Sequence, residues 1–177
     1  MKYKIIYADP PWRYSFSKSD SRKIENQYPT MTDDEICALS VPSDDDSVLF
    51  LWATAPKIEL ALRVMKVWGF QYKTMAVWDK KILGMGYWFR GQHELLLVGT
   101  KGRPKIPEQK DRRSSVFQER RSRHSAKPKC VRDWIESAYP TEPKLELFAR
   151  IAAPGWGRWG NQADSTITLP SDLGGLV

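Results

Sequence analysis

At 177 residues, 41% of them hydrophobic and 28% charged, the chain has the size and composition of a single globular domain. No run of about 18 apolar residues occurs, so no membrane-spanning helix is expected, and the apolar stretch near the N-terminus is too short for a secretory signal. Cys37, Cys130, His93 and His124 are too few and too scattered for a zinc site or a disulfide scaffold, so a metal-free protein of a reducing cytoplasm is expected.

Residues 3–8, YKIIYA, read as a short buried strand that Pro10 and Pro11 cut off. The polar residues 13–30, with Ser at 15, 17, 19 and 21, predict a mobile loop. TDDEICAL opens a helix, because Thr32 and Glu35 have the spacing of a capping box and the early acids suit the helix dipole. SVLFLWA, residues 47–53, is a second continuous apolar strand. Pro56 starts a helix on which Ile58, Ala61, Leu62, Met65 and Trp68 recur at helical spacing, and Gly69 closes it. Residues 70–78 and 94–100 form two more strands, joined by the glycine-rich, aromatic stretch LGMGYWFRGQH. Pro128 begins a helix that runs to about Ala138, and LELFAR, residues 145–150, is a further strand. Helical stretches alternating with apolar strands predict an α/β fold with an open, mostly parallel sheet and helices on both faces. In such sheets ligands bind beyond the carboxyl ends of the strands, where Asp9, Thr54 and Arg150 fall. The domain is expected to span residues 1–165, followed by a C-terminal tail over 166–177.

The charge is unevenly spread. Between Arg103 and Lys129 stand ten Lys or Arg against the three acids Glu108, Asp111 and Glu119, so this stretch carries the whole excess of a chain whose net charge is +7. A basic loop over 103–129 of this kind suits contact with the phosphates of a nucleic acid, and Arg112, Arg113, Arg120, Arg121 and Arg123 are its candidate contacts.

The stretch IIYADPPWRY ends an apolar strand on an acid and two residues without a backbone donor. That edge is built to accept hydrogen bonds. The exocyclic amino group of adenine or cytosine is a poor nucleophile, because its lone pair is delocalised into the ring. Two acceptors placed on its two hydrogens favour the tetrahedral geometry needed for attack on a methyl group, and stabilise the charge that develops on nitrogen. Asp9 supplies one acceptor and the carbonyl of Pro10 the other, with Pro10 and Pro11 fixing its direction. Trp12 then offers a face on which an extruded base can stack.

With these residues in view, the chain resembles the MT-A70-like adenine-N6 methyltransferases, in their compact prokaryotic or phage form. The motifs occur in the family's order: ADPPW at 8–12, YPTMTDDEI at 28–36, LFLWAT at 49–54, HELLLVGTKG at 93–102, HSAKP at 124–128, ELFAR at 146–150 and WGNQ at 159–162. The resemblance implies a Rossmann-like fold, S-adenosylmethionine as methyl donor and Asp9, Pro10, Pro11 and Trp12 as the catalytic motif. It implies that Asp9 also holds the donor's amino group. Tyr28 resembles the family's aromatic gate, and Glu94 aligns with an acid of the target-base pocket, for which Trp52 and Trp88 are further candidates. Lys127 resembles the lysine that pairs with the donor's carboxylate, Glu146 and Arg150 border its ribose, and Asn161 and Gln162 complete the cofactor site. Two departures stand out. Familiar relatives carry His and Asn where this chain has Ala152 and Ala153, and the upstream segment that contacts the donor's adenine in larger relatives is not matched here.

The substrate expected from this resemblance is DNA, modified on the 6-amino group of adenine. An RNA substrate and a non-catalytic nucleic-acid-binding partner subunit are the alternatives, and a homo-oligomer is compatible with the sequence.

Overall fold

The structure, a computed structural model, describes residues 1–14, 30–120, 126–160 and 162–169. β1 (Tyr3–Ala8) and β2 (Ser43–Ala53) are the continuous apolar runs, and they lie side by side in the middle of the sheet, where both faces are covered. Their side chains alternate. Ile6, Ala8, Leu49, Leu51 and Ala53 point to one face, and Ile5, Tyr7, Val48, Phe50 and Trp52 to the other.

Three helices cover these faces. α1 (Asp33–Cys37) starts at the expected capping box, with Thr32 accepting from the Glu35 backbone and Glu35 accepting from the Thr32 backbone. α2 (Ile58–Val67) follows a 3-10 turn at Ala55–Lys57 and gives way at Gly69, whose φ of +84° suits a residue without a side chain. Both pack on the first face through Ile36, Ala61, Val64 and Met65. α3 (Lys129–Ala138) packs on the other through Val131, Ile135 and Ala138. The expected stripe on α2 is shifted. Leu62 is 37% exposed while Val64 is buried, because the arc facing the sheet is centred on Ala61, Val64, Met65 and Trp68 and leaves Leu62 at its margin.

β3 (Gln71–Asp79), β4 (His93–Lys101), β5 (Val116–Gln118), β6 (Lys144–Leu147) and β7 (Trp156–Trp159) complete a seven-stranded sheet in the order β5-β3-β4-β2-β1-β6-β7. β1 runs parallel to β2 and β6, β6 to β7, and β3 to β5. β4 alone among these strands is antiparallel to its neighbours, β2 and β3. The result is the mostly parallel, Rossmann-like α/β architecture that the alternation of elements predicts. Because β4 runs backwards, its first residues arrive at the edge where the other six strands end.

The structure corrects several expected boundaries. LELFAR is a strand only to Leu147, since Phe148 turns the chain with a left-handed φ of +62°; its ring meets Trp159 edge-on at 5.4 Å, which holds the turn. The basic stretch is not a single loop: it contains a 3-10 turn at Gln109–Asp111 and β5. The expected tail is partly domain. Thr166 donates to the Arg158 carbonyl at 2.9 Å, and Ile167 and Leu169 pack on the core. The expected mobile loop lies largely, and the final eight residues wholly, outside the described residues.

Leu49 is fully buried in the central strand. Truncation to Ala is expected to cost about 2–5 kcal/mol, read as a lower urea midpoint at unchanged denaturant slope.

Candidate active site

β1 delivers its last residue, Ala8, to the carboxyl edge of the sheet, and Asp9 is the first residue beyond it. The two prolines end the ladder there, and the chain is then pinned at several points. Trp12 N–H donates to the Pro10 carbonyl at 2.9 Å and Met31 N–H to the Pro11 carbonyl at 3.1 Å. The Trp12 indole donates to the Trp52 carbonyl at 3.1 Å, and the Tyr14 hydroxyl lies 2.6 Å from Thr54 Oγ1. The Pro10 carbonyl therefore already holds one hydrogen bond and keeps a second lone pair.

A line of alternating charge crosses the strand ends. Lys127 Nζ lies 2.7 Å from Asp9 Oδ1 and 3.2 Å from Glu94 Oε2, and Lys80 Nζ lies 3.3 Å from Glu94 Oε1. All four side chains are largely buried. Glu94 reaches this line because β4 begins, rather than ends, at this edge. Lys127 reaches it because the chain leaves β5 beside β3 at Glu119 and stands next to Asp9 again at Lys127, just before α3. Lys127 Nζ also sits over the Trp52 ring, 5.6 Å from its centroid.

Burial pushes the Asp9 carboxyl above its usual range, and the pull of Lys127 offsets only part of this. Burial alone would lower the Lys127 ammonium, but Asp9 and Glu94 outweigh it and hold the group above the ordinary lysine range. Arg150 is near enough for its charge to favour ionised Asp9. Thus Asp9, Glu94 and Lys127, far apart in the chain, meet at one edge of the sheet, with Arg150 near enough to act on Asp9.

Beside it, Arg132 on α3 holds both oxygens of Glu146 at 2.6 Å through one terminal nitrogen. Burial raises the Glu146 carboxyl against the effect of Arg132. Arg132 Nε is buried with no partner among the described residues. β7 carries Gly160 to the same edge, against the backbone of Ala149; a Cβ there would stand 2.6 Å from the Ala149 nitrogen. Gln162 follows and is exposed. Ala153, one of the two alanines that depart from the family pattern, is buried against the α3 face.

Two aromatic assignments need correction. Trp12 is 4% exposed and its ring belongs to the core beneath α1 and α2, so it offers no free face to a base. Trp52 is fully buried among the residues under α3, where it donates to the Tyr7 hydroxyl at 2.8 Å. It is the floor under Lys127 rather than a pocket wall. Tyr28, Asn161, Arg121 and Arg123 lie outside the described residues. Arg112, Arg113 and Arg120 are exposed, and Arg120 leaves β5 at the crevice edge. Sequence reasoning missed Tyr14, Lys80 and Arg132. Tyr14 had a signal, as the second ring after the prolines; the two basic residues had none, since only the fold brings them to the acids.

Among the described residues no group of three His, Cys, Asp or Glu could hold a metal ion, and no helix is long and apolar enough to cross a membrane.

Comparison with known proteins points the same way. The model of a protein family described as MT-A70 matches residues 3–162. The chain is 39% identical to the type II methyltransferase M.MunI of Mycoplasma sp, over 96% of this chain and 82% of that protein. It is 33% identical to the N(6)-adenosine-methyltransferase catalytic subunit METTL3 of Homo sapiens and 34% identical to an N(6)-adenosine-methyltransferase MT-A70-like protein of Arabidopsis thaliana. Each of these matches covers 97% of this chain but only 30% and 25%, respectively, of the longer relative.

The ion pair makes a prediction about protonation. Lys127 favours the charged form of Asp9, so Lys127→Met is expected to move the Asp9 titration to still higher pH, followed by NMR of the labelled carboxyl carbon. An unmoved titration would show that the two groups do not meet in solution.

Proposed function

The chain belongs to the MT-A70 family and is an adenine-N6 methyltransferase; from that premise we propose that it acts on DNA, takes its methyl group from S-adenosylmethionine, and does so at the Asp9–Lys127 crevice. The observation that carries this reading is the 2.7 Å contact between Asp9 and Lys127, placed directly before Pro10 and Pro11. DNA is favoured because the chain nearly spans a compact type II methyltransferase, whereas it matches only a minor part of the N(6)-adenosine-methyltransferases. An RNA substrate is the second reading, favoured by the presence of those N(6)-adenosine-methyltransferases among the relatives.

The residues fit the proposed donor. Its amino-acid end carries one ammonium and one carboxylate, and the Asp9–Lys127 pair offers one carboxylate and one ammonium that now satisfy each other. Asp9 would take the donor's amino group and Lys127 its carboxylate, with Glu94 keeping Lys127 in place. Glu146, held by Arg132, is a polar group suited to its ribose, and Arg150, Asn161 and Gln162 are the further contacts that the family pattern implies. When bound, S-adenosylmethionine supplies an electrophilic methyl carbon on a positive sulfur.

The chain's own part is to prepare the nucleophile. Asp9 and the free lone pair of the Pro10 carbonyl accept the two hydrogens of the adenine amino group, which turns its lone pair out of the ring. Glu94 borders the same space and helps to position the base. With the donor held there, its methyl carbon would pass from sulfur to this nitrogen, whose excess proton would leave afterwards. Asp9 is suited to receive it, since burial has already raised its affinity for protons. Exposed Arg112, Arg113 and Arg120, with Arg121 and Arg123, supply contacts to the phosphates, and the single domain with its basic segment 103–129 serves both tasks.

Two outcomes test the assignment. Asp9→Ala is expected to lower methyl transfer to methylation-free bacterial DNA by at least about 100-fold, with an unchanged circular dichroism spectrum, when labelled methyl incorporation is measured beside a matched RNA. Full activity in the variant would remove Asp9 from the mechanism, and incorporation into RNA alone would reverse the choice of substrate. Replacing Arg112, Arg113, Arg120 and Arg121 by Glu is expected to weaken DNA binding. The slope of log affinity against log salt should flatten by about 0.9 for each phosphate no longer neutralised. Binding titrations across a range of salt check this.

A further inference from the structure

β3 and β4 are joined at the crevice edge by a long hairpin, Lys80 to Gln92. Its tip is the least expected surface on the protein. Tyr87, Trp88 and Phe89 are 78%, 93% and 88% exposed, and Met85 beside them is 86% exposed. Of the eight tryptophans, the other seven are buried or half-buried. Burying one such side chain is worth about 1.5–3 kcal/mol, so adjacent aromatic residues held out in water point to a ligand that covers them.

The hairpin is held in shape. Gly84 N–H donates to the Gly91 carbonyl at 2.7 Å, Gly91 N–H to the Met85 carbonyl at 3.2 Å, and Lys80 N–H to the Gln92 carbonyl at 2.9 Å. Arg90 Nε closes the tip on the Gly84 carbonyl at 3.1 Å. At its base, Asp79 accepts from Gln92 at 2.8 Å and from the Lys81 backbone at 2.9 Å. A Cβ on Gly84 would stand 2.7 Å from the Gly91 carbonyl, so the two arms close only because that residue is glycine. Lys80, at the foot of one arm, is the outermost member of the charge line that ends at Asp9.

We propose that Tyr87, Trp88 and Phe89 form a stacking wedge that enters the nucleic acid beside the target adenine. This rests on the reading of the crevice as the methylation site. Two observations select bases as the occupant. The tip rises from the strand edge that bears Glu94, and the foot and flank of the hairpin carry Lys80, Lys81 and Arg90. Aromatic faces among basic residues bind bases of any sequence. A base drawn out of a duplex leaves a gap, and an inserted ring replaces the missing stacking.

Trp88 is the exposed tryptophan, so its emission reports on the wedge directly. Sheared, methylation-free bacterial DNA is expected to quench the part of the emission that Trp88→Phe abolishes, and to shield it from acrylamide. Trp88→Ala is expected to weaken DNA affinity about 5- to 150-fold, the effect of removing one stacked base, while Trp88→Phe recovers most of it. The thermal midpoint should not move in either variant. Wild-type affinity in Trp88→Ala would overturn the wedge and leave the crevice assignment standing. Sedimentation showing a dimer that dissociates in Trp88→Ala, with DNA affinity unchanged, would also overturn it and make the tip an interface between two copies. Failure of the wild-type chain to bind or methylate any nucleic acid would instead overturn the reading of the crevice, and the wedge with it.

Discussion

The contact between Asp9 and Lys127 holds two opposite charges where neither is well hydrated, and the arrangement of the crevice follows from that constraint. A carboxylate at the end of a buried strand is costly unless a cation meets it. A buried lysine has the same need for acids, and here it has two. Such clusters add little net stability, because desolvation offsets most of the attraction, whereas removing one partner alone costs about 3–5 kcal/mol. The cluster is therefore better understood as charge held ready than as a fastening. A zwitterion that brings its own ammonium and carboxylate can exchange partners with the pair without leaving any charge unmet.

Topology is what allows the cluster to form. In a wholly parallel sheet, the first residues of every strand lie at the far edge. The reversed course of β4 brings Glu94 to the near edge, opposite the end of β2. The α3 N-terminus lies at this edge too, and there Glu119 accepts from the backbone N–H groups of Lys129 and Cys130, at 3.1 and 3.3 Å. Glu119 thereby takes up the positive end of the helix and fixes the point at which the chain turns into α3. Lys127, two residues earlier, is left as the cation that faces Asp9.

The chain disclosed its local structure well and its meetings poorly. Thr32 and Glu35 are three residues apart, so a capping box can be read directly; Asp9 and Lys127 stand far apart in the chain, and only their likeness to a family pattern linked them. β1 and β2 were legible because a strand covered on both faces must be apolar throughout. β5 and β7 were not, because VFQ and WGRW are too short to show a period and are set by their neighbours in the sheet. The end of β6 was misplaced for a different reason. Phe148 has the composition of a strand residue, but its left-handed backbone is imposed by the packing of Trp159 and the turn toward Arg150.

Aromatic residues show the same limit most sharply. Trp12 and Trp52 stand in the motifs that carry the family resemblance, yet both rings are turned into the core, and both contribute through what they hold. Trp12 ties the proline turn to the end of β2 through one hydrogen bond, and Trp52 lies under Lys127. A tryptophan next to a catalytic acid can be a surface for the substrate or a support for the acid, and its spacing in the sequence is identical in the two cases. Solvent exposure separates them. By that criterion the support lies in the motif, and the exposed aromatic surface lies in the hairpin between β3 and β4, in a stretch that composition marks only as glycine-rich and aromatic.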